Sequence, residues 1–289
     1  MKPINFKQII KKIPLKALKI LKAFMIIGLI FVILLPYYEI FLNAINYSGF
    51  ARYVNAYWVP TRISFASLRS TFKETIIHNS MLNSLLISLI VSIIQTFTCA
   101  LFGFAFARLK FKGSNIIFWI VMFSIVFPNE TLHIARLLQL ANDKPFGLRL
   151  IGNRYTLFAL TLFGQGIRAP LFIYIFRQYF RAIDKDIEDA SLIDGCGIVK
   201  SFFKVMLPNA KGGVITTFLM TFVWMYNDYY YSSLLSFSVN GINLVSTRLL
   251  SGRYRSPYAS ALVMLLPLLI IYLITQKYLI DSIKKSVIT

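Results

Sequence analysis

Six long apolar runs govern what this chain is able to become. They lie at roughly 20–42, 80–107, 114–138, 156–180, 213–236 and 258–280. Each is close to the ~20 residues that a helix needs to cross hydrocarbon. Inside a bilayer no water is present to satisfy backbone N–H and C=O groups, so a spanning segment satisfies them within itself as a helix. The reading is an all-α membrane protein of about six transmembrane helices, a single transmembrane domain over 1–289. Composition agrees: 57% of residues are hydrophobic and mean hydropathy is +0.66. No polar segment is long enough to form a separate soluble domain. Prolines and glycines within the runs, such as Pro36, Gly164, Pro170 and Pro267, are tolerated in membrane helices.

The net charge of +20 would raise the question of nucleic acid in a soluble protein. Here the basic residues are read as topology signals, with membrane lipid and not nucleic acid as their surroundings. Alternate segments are richer in them. The N-terminal tail and first turns carry seven lysines, the loop after the second run three cations, the segment after the fourth run six, and the C-terminal end three. The intervening outer segments carry eleven, and Arg168 lies within the fourth run. The expectation is that both termini, the tail 1–19 and the loop 181–212 are cytoplasmic, while 43–75 and 237–257 face outward. The first run is read as a retained helix, because its apolar core is too long for a signal peptide and Tyr37, Tyr38 and Glu39 follow it. Two cysteines, Cys99 and Cys196, make no disulfide scaffold. The histidines, His78 and His133, stand far apart, with no metal-ligand spacing around them.

One polar stretch interrupts this pattern, from Glu188 to Gly213. Asp184 or Asp186 is suited to cap a helix start, and acids in the first turn complement the helix dipole. Gly195 and Gly197 are suited to end that helix, since glycine adopts left-handed backbone cheaply. A second segment over about 199–206 follows, and Leu207-Pro208 is expected to break it. The product is a helix–turn–helix lying across the cytoplasmic face.

Asp189-Ala190-Ser191, three residues, Gly195, nine residues, then Val205-Met206-Leu207-Pro208 resembles the Glu-Ala-Ala signature of bacterial ABC importer permeases. Asp189, Ser191 and Val205 stand where that pattern has Glu, Ala and Ile. Ile193-Asp194-Gly195, His78-Asn79-Ser80, Phe176-Arg177-Gln178-Tyr179-Phe180, Tyr226-Asn227-Asp228 and Gln276-Lys277-Tyr278 resemble runs of the carbohydrate-uptake branch. The likeness is greatest to the second permease of maltose-type and multiple-sugar importers. The resemblance implies a coupling helix between the fourth and fifth spans that docks on a cytoplasmic ATPase through Glu188, Asp189, Ala190, Ser191, Ile193, Asp194, Gly195, Leu207 and Pro208. It implies a second homologous permease, two ATP-binding subunits that hold ATP and Mg, an extracytoplasmic binding protein, and no cofactor on this chain. No Gly-x-x-x-x-Gly-Lys-Ser/Thr phosphate loop is present in the sequence, so ATP hydrolysis belongs to another subunit.

Four residues are candidates for a translocation path: Gln165, Arg168, Asn227 and Asp228. An arginine placed mid-span faces protein or a water-filled cavity, and a path role and an inter-helix pairing stand even for it. Glu130, His133 and Arg136, at spacing three, read as the outer end of the third span ahead of a cargo contact. Tyr226, Tyr229, Tyr230 and Tyr231 read as an interfacial belt ahead of a sugar platform. The leading function is import of a sugar or oligosaccharide through a bacterial cell membrane. The alternatives are a permease for glycerol phosphate, acidic oligosaccharide or peptide, and an ion-coupled secondary transporter. No acid, base and nucleophile set suggests an enzyme.

Overall fold

The computed structural model describes residues 15–45, 58–59, 63–127, 134–136, 138–140, 150, 153–236 and 257–288. Among them every regular element is a helix: α1 (Leu15–Ile45), α2 (Ala66–Lys73), α3 (Thr75–Arg108), α4 (Ser114–Phe123), α5 (Arg154–Leu162), α6 (Ala169–Ala182), α7 (Lys185–Ile193), α8 (Ile198–Ser201), α9 (Lys211–Asn227), α10 (Tyr230–Ser236) and α11 (Pro257–Ile288), with shorter turns between. Two compact units divide the chain, Met1–Lys73 with Arg255–Val263, and Glu74–Tyr254 with Met264–Thr289.

In the first unit α1 runs unbroken through Pro36, and Leu15–Lys19, expected in the tail, already belong to it. From Ile20 to Phe41 its large apolar side chains are almost all exposed, the surface of a helix surrounded by lipid or by another chain, while Leu42, Ala44 and Ile45 at its end are buried. At its end Ser64 N–H donates to Ile45 C=O at 2.7 Å, and Tyr38 Oη donates to Trp58 C=O. These bonds tie Trp58 and Ser64, just ahead of α2, to α1.

The second unit is built on α3, which packs against α6, α9 and α5. A row of small residues explains how. Ser80, Ser84, Ser88, Ser92, Cys99 and Gly103 recur at about helical spacing on α3, and all are buried. Small side chains let membrane helices approach closely. At Gly103 an added Cβ would sit 2.5 Å from Phe176 Cβ, so here the two helices meet almost backbone to backbone. Toward the α7 end Phe104, Phe176, Phe180 and Phe202 form one aromatic cluster.

Three helices among the described residues are long and apolar enough to cross a bilayer, Lys19–Ile45, Ile77–Arg108 and Pro257–Lys277. The other three runs depart from the expectation of single helices. The 114–138 run leaves helix at Phe127, whose backbone is extended, as the residue before Pro128 favours. The 213–236 run breaks at Asp228, whose carboxylate starts α10 by accepting from Tyr231 N–H at 2.6 Å and Ser232 N–H at 3.4 Å.

The 156–180 run breaks most completely. Gly164, at φ +77°, closes α5 in a Schellman turn: Gly164 N–H donates to Thr161 C=O and Gln165 N–H to Leu160 C=O. Arg168, at φ +49°, precedes α6, with Pro170 in its first turn. The carbonyls freed by the break are taken up by neighbouring side chains, as irregular backbone at membrane depth requires. Gln95 Nε2 donates to Ile167 C=O at 2.6 Å, Cys99 Sγ to Ala169 C=O at 3.6 Å, and Tyr231 Oη to Gln165 C=O at 2.8 Å.

Candidate functional site

The polar stretch folds as a braced helical elbow. Asp184 holds the N-cap position of α7, but its carboxylate accepts no capping bond, contrary to the expectation for it. Asp186 and Glu188 occupy the first turn, where the N-terminal dipole favours acids. α7 ends in a second Schellman turn: Gly195 N–H donates to Leu192 C=O and Cys196 N–H to Ser191 C=O, with Gly195 at φ +77°. Gly197 does not end α7; it has ordinary extended backbone and caps α8.

Leu207-Pro208 does not break the second segment as expected. The chain stays helical to Asn209, and the turn falls at Ala210. Phe202–Met206 widens into a π-turn, with Leu207 N–H reaching five residues back to Phe202 C=O. Pro208 brings no N–H and crowds the carbonyl four residues before it. The wider turn shifts those carbonyls off α register just ahead of the proline.

Two polar contacts brace the elbow, one to the helices behind it and one within it. Arg108, the last residue of α3, pairs through Nε with Glu188 at 3.3 Å. Its Nη2 also donates to Phe180 C=O at 2.7 Å and to Ile183 C=O. One guanidinium thus ties the end of α3, the end of α6 and the first turn of α7. Ser191 Oγ donates to Glu188 C=O at 2.8 Å and lies 2.7 Å from Ser201 Oγ. Because the Ser191 proton is used on Glu188, Ser201 is the donor of that second bond. It closes α7 on α8.

The nine residues singled out in this stretch therefore divide. Glu188 and Ser191 turn inward and brace the elbow. Asp189, Ala190, Asp194 and Gly195 are exposed, as is Ile193, at 86%. Leu207 is half-buried against the aromatic cluster, and Pro208 is exposed. Leu192, Ile198 and Val199 add further exposed apolar surface beside Ile193. Arg108 and Ser201 were not singled out in the sequence. For Arg108, its place as the first charge after the second apolar run was the available signal.

The four path candidates are not brought into one cluster of side chains. The guanidinium of Arg168 lies 4.4 Å from the centroid of the Trp224 ring, a cation–π geometry, and the residue is exposed. The Gln165 side chain is exposed, while its backbone carbonyl is bonded by Tyr231. Asn227 Nδ2 donates back to Val223 C=O at 3.0 Å, and Asp228 serves as the α10 cap. Tyr231 is the shared element: Arg136 Nη1 donates to its Oη at 2.9 Å and stacks over its ring at 5.2 Å. Arg136 is therefore a structural partner of Tyr231; Glu130 and His133 lie outside the described residues. The tyrosine belt is also corrected. Tyr226 and Tyr231 are buried, because their hydroxyls find carbonyls in the interior, Tyr226 donating to Met264 C=O at 2.9 Å. Tyr229 alone of the four is exposed.

Residues 99–285 match the model of the family described as binding-protein-dependent transport system inner membrane component. The chain belongs to that family. It is an inner-membrane transport component and not an enzyme, and its apolar helices place it in the membrane as a multi-pass protein. Relatives include the trehalose transport system permease protein SugB of Mycobacterium tuberculosis, 26% identical over 80% of this chain and 84% of that one. The diacetylchitobiose uptake system permease protein NgcG of Streptomyces coelicolor is 25% identical over 65% of this chain and 62% of its own length. The sn-glycerol-3-phosphate transport system permease protein UgpE of Yersinia pestis is 24% identical over 64% and 65%. The fold is that of a chain in a bacterial ABC transporter involved in import of the acidic polysaccharide alginate, with a TM-score of 0.72, 19% identity, and coverage of 91% of this chain and 96% of that one.

Proposed function

We propose that this permease works as one transmembrane domain of an ATP-driven importer for a sugar or oligosaccharide. Both termini and the α7–α8 elbow face the cytoplasm, and α7 is the coupling helix. The observation that carries this reading is the elbow itself. Its outward surface, with Ile193 at 86% exposure, is closed on itself by the Ser191–Ser201 bond and held by Arg108 to the ends of α3 and α6, so a push on the tip is delivered to α3 and α6. Two cytoplasmic subunits supply ATP and Mg, a second homologous permease completes the pathway, and an external binding protein delivers cargo. The sugar assignment is supported by the relatives named for trehalose and diacetylchitobiose.

A second cargo reading has one observation in its favour. Arg168 presents an exposed guanidinium at the helix break, and no carboxylate pairs with it among the described residues. That arrangement suits an anionic cargo such as a glycerol phosphate or an acidic oligosaccharide. A ligand screen on the co-encoded binding protein separates the two cargoes. The transport mode is tested in proteoliposomes. This chain alone, under a proton or sodium gradient, is expected to give no uptake, and uptake is expected with ATP once all partners are present. Gradient-driven uptake by the chain alone would overturn the importer reading in favour of an ion-coupled carrier.

A further inference from the structure

Three helices of the second unit end at one level. Arg108, at the end of α3, bonds the carbonyls of Phe180 and Ile183 around the end of α6. Arg177, one turn before that end, donates to Asn115 Oδ1 in the first turn of α4 at 3.4 Å. Between these ends and the first turns of α7 lies an open cleft of about 650 Å3. Arg108, Lys110, Lys112, Arg181 and Lys185 line it, with Glu188 and Asp189. Arg108 is neutralised by Glu188. Four exposed cations then face a single carboxylate, and none of the four has an ion-pair partner among the described residues.

The depth of this cleft is fixed by the sequence around it. Arg108 closes an apolar span of 32 residues, so the cleft sits where hydrocarbon gives way to headgroups. Exposed Leu109 and Phe111 alternate there with Lys110 and Lys112. Apolar groups enter the bilayer edge while lysine stems carry their charge to the interface. Directly after the cleft, α4 exposes Ile116, Trp119, Ile120 and Phe123, which share one helix face. A basic pocket among helix ends and an apolar stripe leading from it match the two ends of a phospholipid.

We propose that this cleft binds the phosphate of an anionic phospholipid headgroup, with the acyl chains along the exposed face of α4. A free phosphate shares the charge but has no use for the stripe or the depth. The proposal rests on membrane placement alone and is independent of the cargo. The whole transporter, co-expressed with its partner subunits, is placed in nanodiscs of equal phosphatidylcholine and phosphatidylglycerol, and retained lipids are counted by native mass spectrometry. The wild-type complex is expected to keep phosphatidylglycerol about tenfold over phosphatidylcholine. The combined Lys110→Gln, Lys112→Gln and Arg181→Gln variant, which spares the bracing Arg108, is expected to fall to near parity with assembly intact. Replacement of the same lysines by arginine keeps the preference. Equal retention of both lipids by wild type, or an unchanged preference in the glutamine variant, overturns the proposal. Displacement of the lipid by millimolar inorganic phosphate overturns the lipid as its source. A glutamine variant that keeps the lipid but loses the ATPase assigns the cleft to a protein partner instead.

Discussion

Replacing Gly195 by valine isolates a backbone effect at the tip of the elbow. Gly195 sits at φ +77°, and an added Cβ meets nothing within 4 Å. Crowding within the chain is thus absent, and the cost is conformational. An L-residue in left-handed backbone costs about 1–2 kcal/mol, and β-branching adds to it. The two bonds of this Schellman turn are worth about 1 kcal/mol each, so the penalty is comparable with what holds the turn. A loss of that size changes the population of the native turn roughly five- to thirty-fold. Asparagine tolerates left-handed backbone and serves as the control. The assay is binding-protein-stimulated ATP hydrolysis and uptake in proteoliposomes, normalised to assembled complex. Valine is expected to lower both about five- to thirty-fold, alanine less, and asparagine least. Asparagine as damaging as valine would mean that bulk against the partner, and not turn geometry, sets the effect. Full activity of an abundantly assembled valine variant would remove the turn from coupling altogether.

Arg108→Ala removes charge-assisted bonds to Phe180 and Ile183 and the Glu188 pair; a loss of at least ~2 kcal/mol in stability is expected, read as a lower melting temperature together with uncoupled ATP hydrolysis. Gly103→Val forces a side chain into a 2.5 Å gap at Phe176 and is expected to cost about 3 kcal/mol, seen as poor recovery of monodisperse complex; recovery equal to wild type would refute the close approach. For topology, single cysteines at Ser48 and Val199 in a background lacking Cys99 and Cys196 are expected to label from outside at Ser48 only, with an impermeant reagent on intact cells. Val199 is the better inner probe than its neighbour Ser201, being 70% exposed where Ser201 is 1%.

Apolar run length was enough to read the helical membrane class, and acids followed by Gly195 at the right distance were enough to read α7 and its turn. The interruptions were harder. Hydropathy averages over Gly164 to Arg168 and over Asp228, because each break is short and flanked by apolar residues. What decides them is tertiary: Gln95 and Tyr231, distant in sequence, stand ready to receive the freed carbonyls. The same holds for the tyrosines. Composition places a tyrosine at an interface as readily as in a core, and only the position of the Met264 carbonyl sends Tyr226 inward. Arg108 and Ser201 were missed for a related reason, since Arg108 acts on a group 72 residues away and Ser201 on one ten residues away, across a turn.

The stitching of α3 to α6 has a mechanical consequence. Gln95 and Cys99 fasten one end of α6, Gly103 admits its middle, and Arg108 fastens the other end. Sliding or rolling of one helix on the other would undo all of these at once. The pair is therefore a stiff lever. With 14 residues, α6 is about 21 Å long, so a 10° tilt about its midpoint displaces its ends by about 2 Å in opposite directions. A small tilt delivered at the elbow emerges at the Gly164–Arg168 break with the same amplitude and the opposite sense.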